Sequence, residues 1–434
     1  MFVYRLLSIL ALAAYSPYAL ARSLAGRYQI GDWKGRLGKT SYPDLSGGIW
    51  IHAVSVGEVG VARSLAASMT RAMPGRRLGL SVTTAAGRKL AEDSFGWNAA
   101  VFPFPFDLAG PVDKALSCTR PGLVILTETE IWPLFLDRAA ARSIPVALVN
   151  GRVSHHSFRR YRLAGRFLAR TLEKISIFAM QTAEDAERIV ALGALRERVR
   201  VTGNIKFDRP APPAFPDASR LEQAAAGRPI GIAASTGEGE EALVLEAWGA
   251  CRPGALLVLA PRRPERFDEV ARLVQSRGWR LLRRSSTSSA AFDHESPVAS
   301  HQPVDVYLLD SIGELASAYA GSRFAFIGGS LIPTGGQNPI EAWSQGVSVI
   351  AGPHMENFRE IAAAGKARGI LHEVGNTSEL AAAIQSVLAD PSQSEARGED
   401  ARRFTAESRG AVDRTLELLR PLLEAPTPEK KVTA

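Results

Sequence analysis

Cysteine is almost missing from these 434 residues, with Cys118 and Cys251 the only two. That count excludes a disulfide framework and a paired-cysteine metal site, and it points to a reducing compartment. Histidine is scarce as well, at seven residues. His52, His354 and the pair His155-His156 lack metal-ligand spacing, so neither a metal nor another cofactor is expected. Acid is short relative to base: 44 Asp and Glu against 52 Lys and Arg leave a formal charge of +8. An anionic partner is therefore expected, whether nucleic acid, an acidic lipid surface or a phosphorylated substrate. No nucleic-acid module is recognisable, and no repeat of about 20–50 residues stands out. Beyond the N-terminus there is no long apolar run. The length exceeds one ordinary core and suits two domains of about 200 residues each.

The N-terminus, "MFVYRLLSILALAAYSPYAL", is apolar apart from Arg5 and a few hydroxyls. Arg22, Arg27, Lys34, Arg36 and Lys39 follow it against the single acid Asp32. A secretory signal carries its charge ahead of the apolar stretch, so this order favours an anchor with a cytoplasmic basic flank over residues 1–40. Its length, near the ~20 residues that span a bilayer, and Pro17 leave a spanning helix and an interfacial one both open. A second basic stretch, "RRYRLAGRFLARTLEK" (Arg159 to Lys174), interleaves aromatic and aliphatic residues at helical spacing. With a membrane element in the same chain, anionic lipid is its expected contact, and nucleic acid is not.

Short apolar runs alternate with helical patterns along the rest of the chain. "GIWIHAVSV", "RLGLSVTT", "GLVILTETE", "IPVALVNG" and "IFAMQTA" precede one break, and "PIGIAAST", "ALLVLAPR", "VDVYLLD", "FAFIGGS" and "VSVIAGP" follow it. Continuous apolar strands separated by helices predict parallel sheets covered on both faces, here twice. The break is "FDRPAPPAFPDASR", whose prolines disfavour helix and ladder alike. The expected organisation is an N-terminal Rossmann-like domain over 41–208, a linker over 209–220 and a C-terminal one over 221–425. Ligands of open α/β sheets bind beyond the carboxyl ends of the strands, so chemistry is expected in the loops there.

Those loops carry the candidates. In "GGSLIPTGGQNPIEAW", glycines follow a strand and precede a helix starting near Asn338-Pro339. Bare amides there would suit a phosphate, with Glu341 accepting from a sugar hydroxyl; a tight turn with a capped helix suits the pattern equally well. Arg262 and Arg263 offer cations at a strand end, or ordinary surface charge. Glu58 begins a helix whose dipole depresses its pKa, so a role as general base needs compensation by burial. Glu128 and Glu130 alternate at a strand end, which predicts that only one of them faces a ligand.

Taken together, "WIHAVSVGEVG", "SVTTAAGRKLA", "ETEIWP", "LVNGRVSHHSFRRY", "VTGNIKFD", "ASTGEGEE", "APRRPERF", "GGSLIPTGGQNPIEA" and "AGPHMENFREI" occur in an order that resembles the Kdo transferases of Gram-negative bacteria. Those membrane-associated glycosyltransferases move 3-deoxy-D-manno-octulosonic acid (Kdo) from CMP-Kdo to a lipid A precursor. The resemblance implies a GT-B fold with two Rossmann-like domains facing a central cleft, inversion at the anomeric carbon, no metal or cofactor, and work at the cytoplasmic face of the inner membrane. It implies Glu58 as the base and Lys206 as a holder of the donor carboxylate or of developing charge. Glu128 and Glu130 fall on the acceptor side, and Arg262, Gly329, Gln337, Asn338 and Glu341 at CMP. Three family histidines are replaced, by Gly237, Arg263 and Gln337. Those changes keep two alternatives in view: a transferase of the same fold using another nucleotide sugar, and a catalytically idle relative that binds lipid.

Overall fold

The computed structural model describes residues 32–95, 99–251, 254–286 and 303–424, together with Tyr4. The expected anchor over 1–40 lies outside the described residues apart from Tyr4 and 32–40. Among the described residues no helix is long and apolar enough to cross a membrane.

The chain divides into two units, Met1–Arg209 with Ser408–Ala434, and Pro210–Glu407. In the first, Ile49–Ala53 (β1), Leu78–Val82 (β2), Ala100–Pro103 (β3), Leu123–Thr127 (β4), Val146–Gly151 (β5), Ile177–Met180 (β6) and Val199–Val201 (β7) form one sheet. Its order is β3-β2-β1-β4-β5-β6-β7 and its pairings are parallel. Successive residues of β1 enter opposite faces: Ile49, Ile51 and Ala53 join one buried cluster and Trp50 another. A sheet covered on both sides needs strands apolar at every position, which is why these read as unbroken runs.

The second unit repeats the plan with Ile230–Thr236 (β8), Leu256–Pro261 (β9), Leu281–Arg283 (β10), Val306–Leu308 (β11), Phe324–Ile327 (β12), Ser348–Ala351 (β13) and Leu371–Glu373 (β14). Its order is β10-β11-β9-β8-β12-β13-β14, again parallel. No helix or strand occurs from Asp208 to Phe215, and the division between units falls within that Pro-rich stretch.

The C-terminal boundary corrects the sequence expectation of 221–425. Helix Ala411–Glu424 belongs to the first unit, where Val412, Leu419 and Leu423 are buried in one cluster with Ile49, Ile51 and Val59. Each such burial contributes about 1.5–3 kcal/mol. Polar contacts hold the return: the Asp208 carboxylate accepts from the amides of Gly410 and Val412, and Arg414 Nε donates to Thr202 O at 2.8 Å.

Candidate active site

Val54-Ser55 follow strand β1, and Ser55 caps helix Val56–Ala72 with Glu58 in its first turn. Ser55 and Glu58 have the spacing of a capping box, in which the carboxylate turns back over the helix start. Here it turns further than the cap. Glu58 Oε2 accepts from Val54 N at 2.9 Å and from Thr127 Oγ1 at 2.8 Å, and Oε1 accepts from Ser55 Oγ at 3.0 Å. The side chain is buried, at 7% exposure. Burial raises its pKa, the negative charge of Glu128 adds to that, and the three hydrogen bonds oppose it. Burial is thus the compensation that a base at a helix N-terminus requires.

Beside Glu58 lies a cavity of about 140 Å³ whose lining includes Glu128, Glu130, Arg152, Ser154 and Ser157. Both expected acceptor-side acids face it, which corrects the alternation rule. Strand β4 stops at Thr127, and although the Glu128 amide still donates to Val149 O at 2.9 Å, Glu128 adopts a left-handed φ of 56°. The turn ends the pleat, so residues two apart no longer share its geometry. Burial, and next the neighbouring Glu58, push Glu130 up to about 7.

Lys206 reaches the same group from the helical turn Ile205–Phe207 that follows β7. Asn150, buried and also left-handed at φ 53°, accepts from Ile205 N through Oδ1 at 2.9 Å, and Asn204 Oδ1 accepts from Lys206 N at 3.0 Å. The resulting turn puts Lys206 Nζ 2.9 Å from Glu128 Oε1. Thr127, Asn150 and Arg152 escaped the sequence reading as site residues. Ser55 was detectable from its spacing to Glu58.

In the second unit, the loops after β8, β9, β12 and β13 share one carboxyl edge. Arg262 N donates to Thr236 O at 3.0 Å, Gly328 N to Ala234 O at 2.8 Å and Gly352 N to Ser330 Oγ at 2.7 Å. For Gly329, Ser330 and Leu331 the expectation of bare amides is corrected. The buried carboxylate of Glu240 takes them: Oε2 accepts from Gly237 N at 3.0 Å and Gly329 N at 2.6 Å, and Oε1 from Ser330 N and Leu331 N at 3.0 Å each. Gly329, at φ 66°, is needed for the turn rather than for a free N–H. Asn338 Oδ1 is likewise engaged, accepting from Ile340 N at 3.0 Å where helix Ile340–Ser344 begins. Gln337 and Glu341 are half-buried, whereas Arg262 and Arg263 are exposed and available as cations.

The model of the family described as 3-deoxy-D-manno-octulosonic-acid transferase (kdotransferase) matches residues 31–209, and that of glycosyl transferases group 1 matches residues 306–404. A 3-deoxy-D-manno-octulosonic acid transferase of Bordetella pertussis is 37% identical over 400 residues, covering 89% of this chain and 90% of its own. The chain belongs to the Kdo transferase family. A second member, from Haemophilus influenzae, is 33% identical over 92% of each chain. The enzyme is therefore a glycosyltransferase. The solved UDP-GlcNAc 2-epimerase of Neisseria meningitidis, 13% identical, superposes over 86% of this chain and 100% of its own with a TM-score of 0.54. That likeness concerns the fold alone, two Rossmann-like units of GT-B type.

Proposed function

We propose that the enzyme transfers Kdo from CMP-Kdo to a hydroxyl of a lipid A precursor, lipid IVA, in lipopolysaccharide core biosynthesis, with inversion and without a metal. The observation that carries this reading is Glu58, a buried carboxylate of raised pKa at the wall of a polar cavity. In the transfer, the acceptor oxygen attacks the anomeric carbon, Glu58 takes its proton, and the bond to the CMP phosphate breaks. Glu128 and Glu130 orient acceptor hydroxyls. Lys206, held by Glu128, offers a cation to the donor carboxylate once that pair opens. Arg262 meets the charge developing on the phosphate, with Gln337, Asn338 and Glu341 around CMP and Gly329 shaping the loop.

The same reading puts the enzyme at the cytoplasmic face of the inner membrane, on anionic lipid. Helix His155–Arg162 buries no residue and carries Arg159, Arg160 and Arg162, and the adjoining Leu163 is 89% exposed. Tyr4 stacks on Phe167, within the basic stretch, at 5.5 Å and donates to Asp107 Oδ2 at 2.6 Å.

The decisive assay incubates the purified protein with CMP-Kdo and a tetra-acylated, bis-phosphorylated lipid A precursor in the presence of chelator, and follows lipid mass. A gain of one or more Kdo units is expected, together with thermal protection by CMP and none by UDP or GDP. Equal protection by UDP would replace the donor assignment, and CMP binding without mass gain would favour an idle relative. The acidic limb of kcat/KM against pH should report Glu58. Glu128→Gln removes a neighbouring negative charge and leaves the Lys206 cation, so both changes favour ionised Glu58 and the limb moves to lower pH. A limb that stays where it was disconnects Glu128 from the base.

A further inference from the structure

A carboxylate offers about four lone-pair sites, two on each oxygen. On Glu58 three are taken. Val54 N and the Thr127 hydroxyl fill both positions on Oε2, and Ser55 Oγ fills one on Oε1. The remaining site is on Oε1. Thr127 Oγ1 is itself 2.8 Å from both Glu58 Oε2 and the carbonyl oxygen of His52. A hydroxyl has one proton and cannot donate to both at once. Thr127 closes β4, is fully buried, and so holds this position through the sheet rather than through a mobile loop.

We infer that Thr127 is a positioning residue for the base: its hydroxyl pins Oε2 of Glu58, leaves Oε1 to receive the acceptor proton, and swivels to His52 O once that proton has arrived. This rests on the proposed role of Glu58 as general base. With Glu58 ionised, the Thr127 bond is charge-assisted and stronger than the bond to a neutral carbonyl. With Oε1 protonated, the two bonds become comparable and the hydroxyl is released to His52 O. The hydroxyl therefore favours the ionised base in the free enzyme. The acceptor O–H bond breaks and an Oε1–H bond forms as the acceptor oxygen bonds the anomeric carbon and the bond to the CMP phosphate breaks; the Thr127 hydroxyl only reorients, keeping its own proton.

The charged and titratable groups around Glu58 are few. Glu128 and Glu130 face it from beyond β4, and Arg152 borders the same cavity. Lys206 stands behind Glu128, to which it is paired. His52, under Thr127, is held down to about 3 by burial and stays neutral in the working range. None of these occupies the Oε2 position that Thr127 fills.

The test measures kcat/KM against pH for the full-length protein and for Thr127→Val, Thr127→Ser and Glu58→Gln. Thr127→Val keeps the branched shape of the strand residue and removes the hydroxyl. Its acidic limb is expected about one pH unit higher, because one hydrogen bond to the ionised form is gone. Its kcat is expected to fall about tenfold with KM unchanged. Thr127→Ser should restore both, which a purely packing role of the methyl group would not produce. If valine fails to fold, Thr127→Ala removes the same hydroxyl and should give the same shift. An unmoved limb in the folded hydroxyl-less variant, with Glu58→Gln inactive, overturns the assignment of Thr127 alone. Full turnover by Glu58→Gln overturns the base itself and the assignment with it.

Discussion

Glu58→Gln is expected to lose turnover by about 10²–10⁴-fold, the usual contribution of a positioned general base, while remaining folded. Glutamine has nearly the same shape, and its oxygen can still accept from Val54 N and Thr127. Its NH₂ then meets Ser55 Oγ, which is free to reverse from donor to acceptor. The hydrogen bonds are thus retained and only the proton-accepting capacity is removed. Stability should fall by under about 1 kcal/mol, a shift of some 2–4 °C in Tm. Calorimetry and a lipid-mass assay on the same preparation separate the two effects. Turnover within tenfold of the parent would remove Glu58 from the chemistry and leave it as a helix cap.

The second large effect concerns Glu240. Its two oxygens each receive two backbone amides, from Gly237 and Gly329 on one side and Ser330 and Leu331 on the other. In Glu240→Gln one oxygen becomes an NH₂, and whichever way the amide turns, two backbone N–H groups face a donor. Each buried polar group left unpaired costs about 1–3 kcal/mol, so the C-terminal unit should lose about 2–6 kcal/mol. The expected result is a lower first transition in calorimetry, and weaker CMP affinity as the glycine loop loosens. A variant with unaltered melting and CMP binding would mean that water satisfies those amides and that the carboxylate is dispensable.

Much of the architecture was legible in the sequence because its physics is local. The ten strands read as apolar runs are the inner members of the two sheets. The four outside that set, β3, β7, β10 and β14, are the sheet edges, each three or four residues long and partly exposed. An edge strand has one neighbour and one solvated flank, so it needs no continuous apolar stretch. The site divides in the same way. Glu58 was legible from its position after a strand and before a helix. Alternation failed for Glu128 and Glu130 because a left-handed residue at a strand end leaves no mark in composition. The fate of the glycine amides was hidden for another reason: Glu240 lies 89 residues before Gly329, and only the tertiary fold joins them.

The return of helix Ala411–Glu424 to the first unit bears on how the chain is made. During synthesis the strands of the first sheet emerge early, but the helix carrying Val412, Leu419 and Leu423 emerges only after Pro210–Glu407. The N-terminal unit therefore cannot finish folding as a unit behind the ribosome, as the simple domain-by-domain order would have it. Its apolar face stays open while the C-terminal unit is completed, and the final helix is a latch that closes the older half of the molecule with its youngest residues.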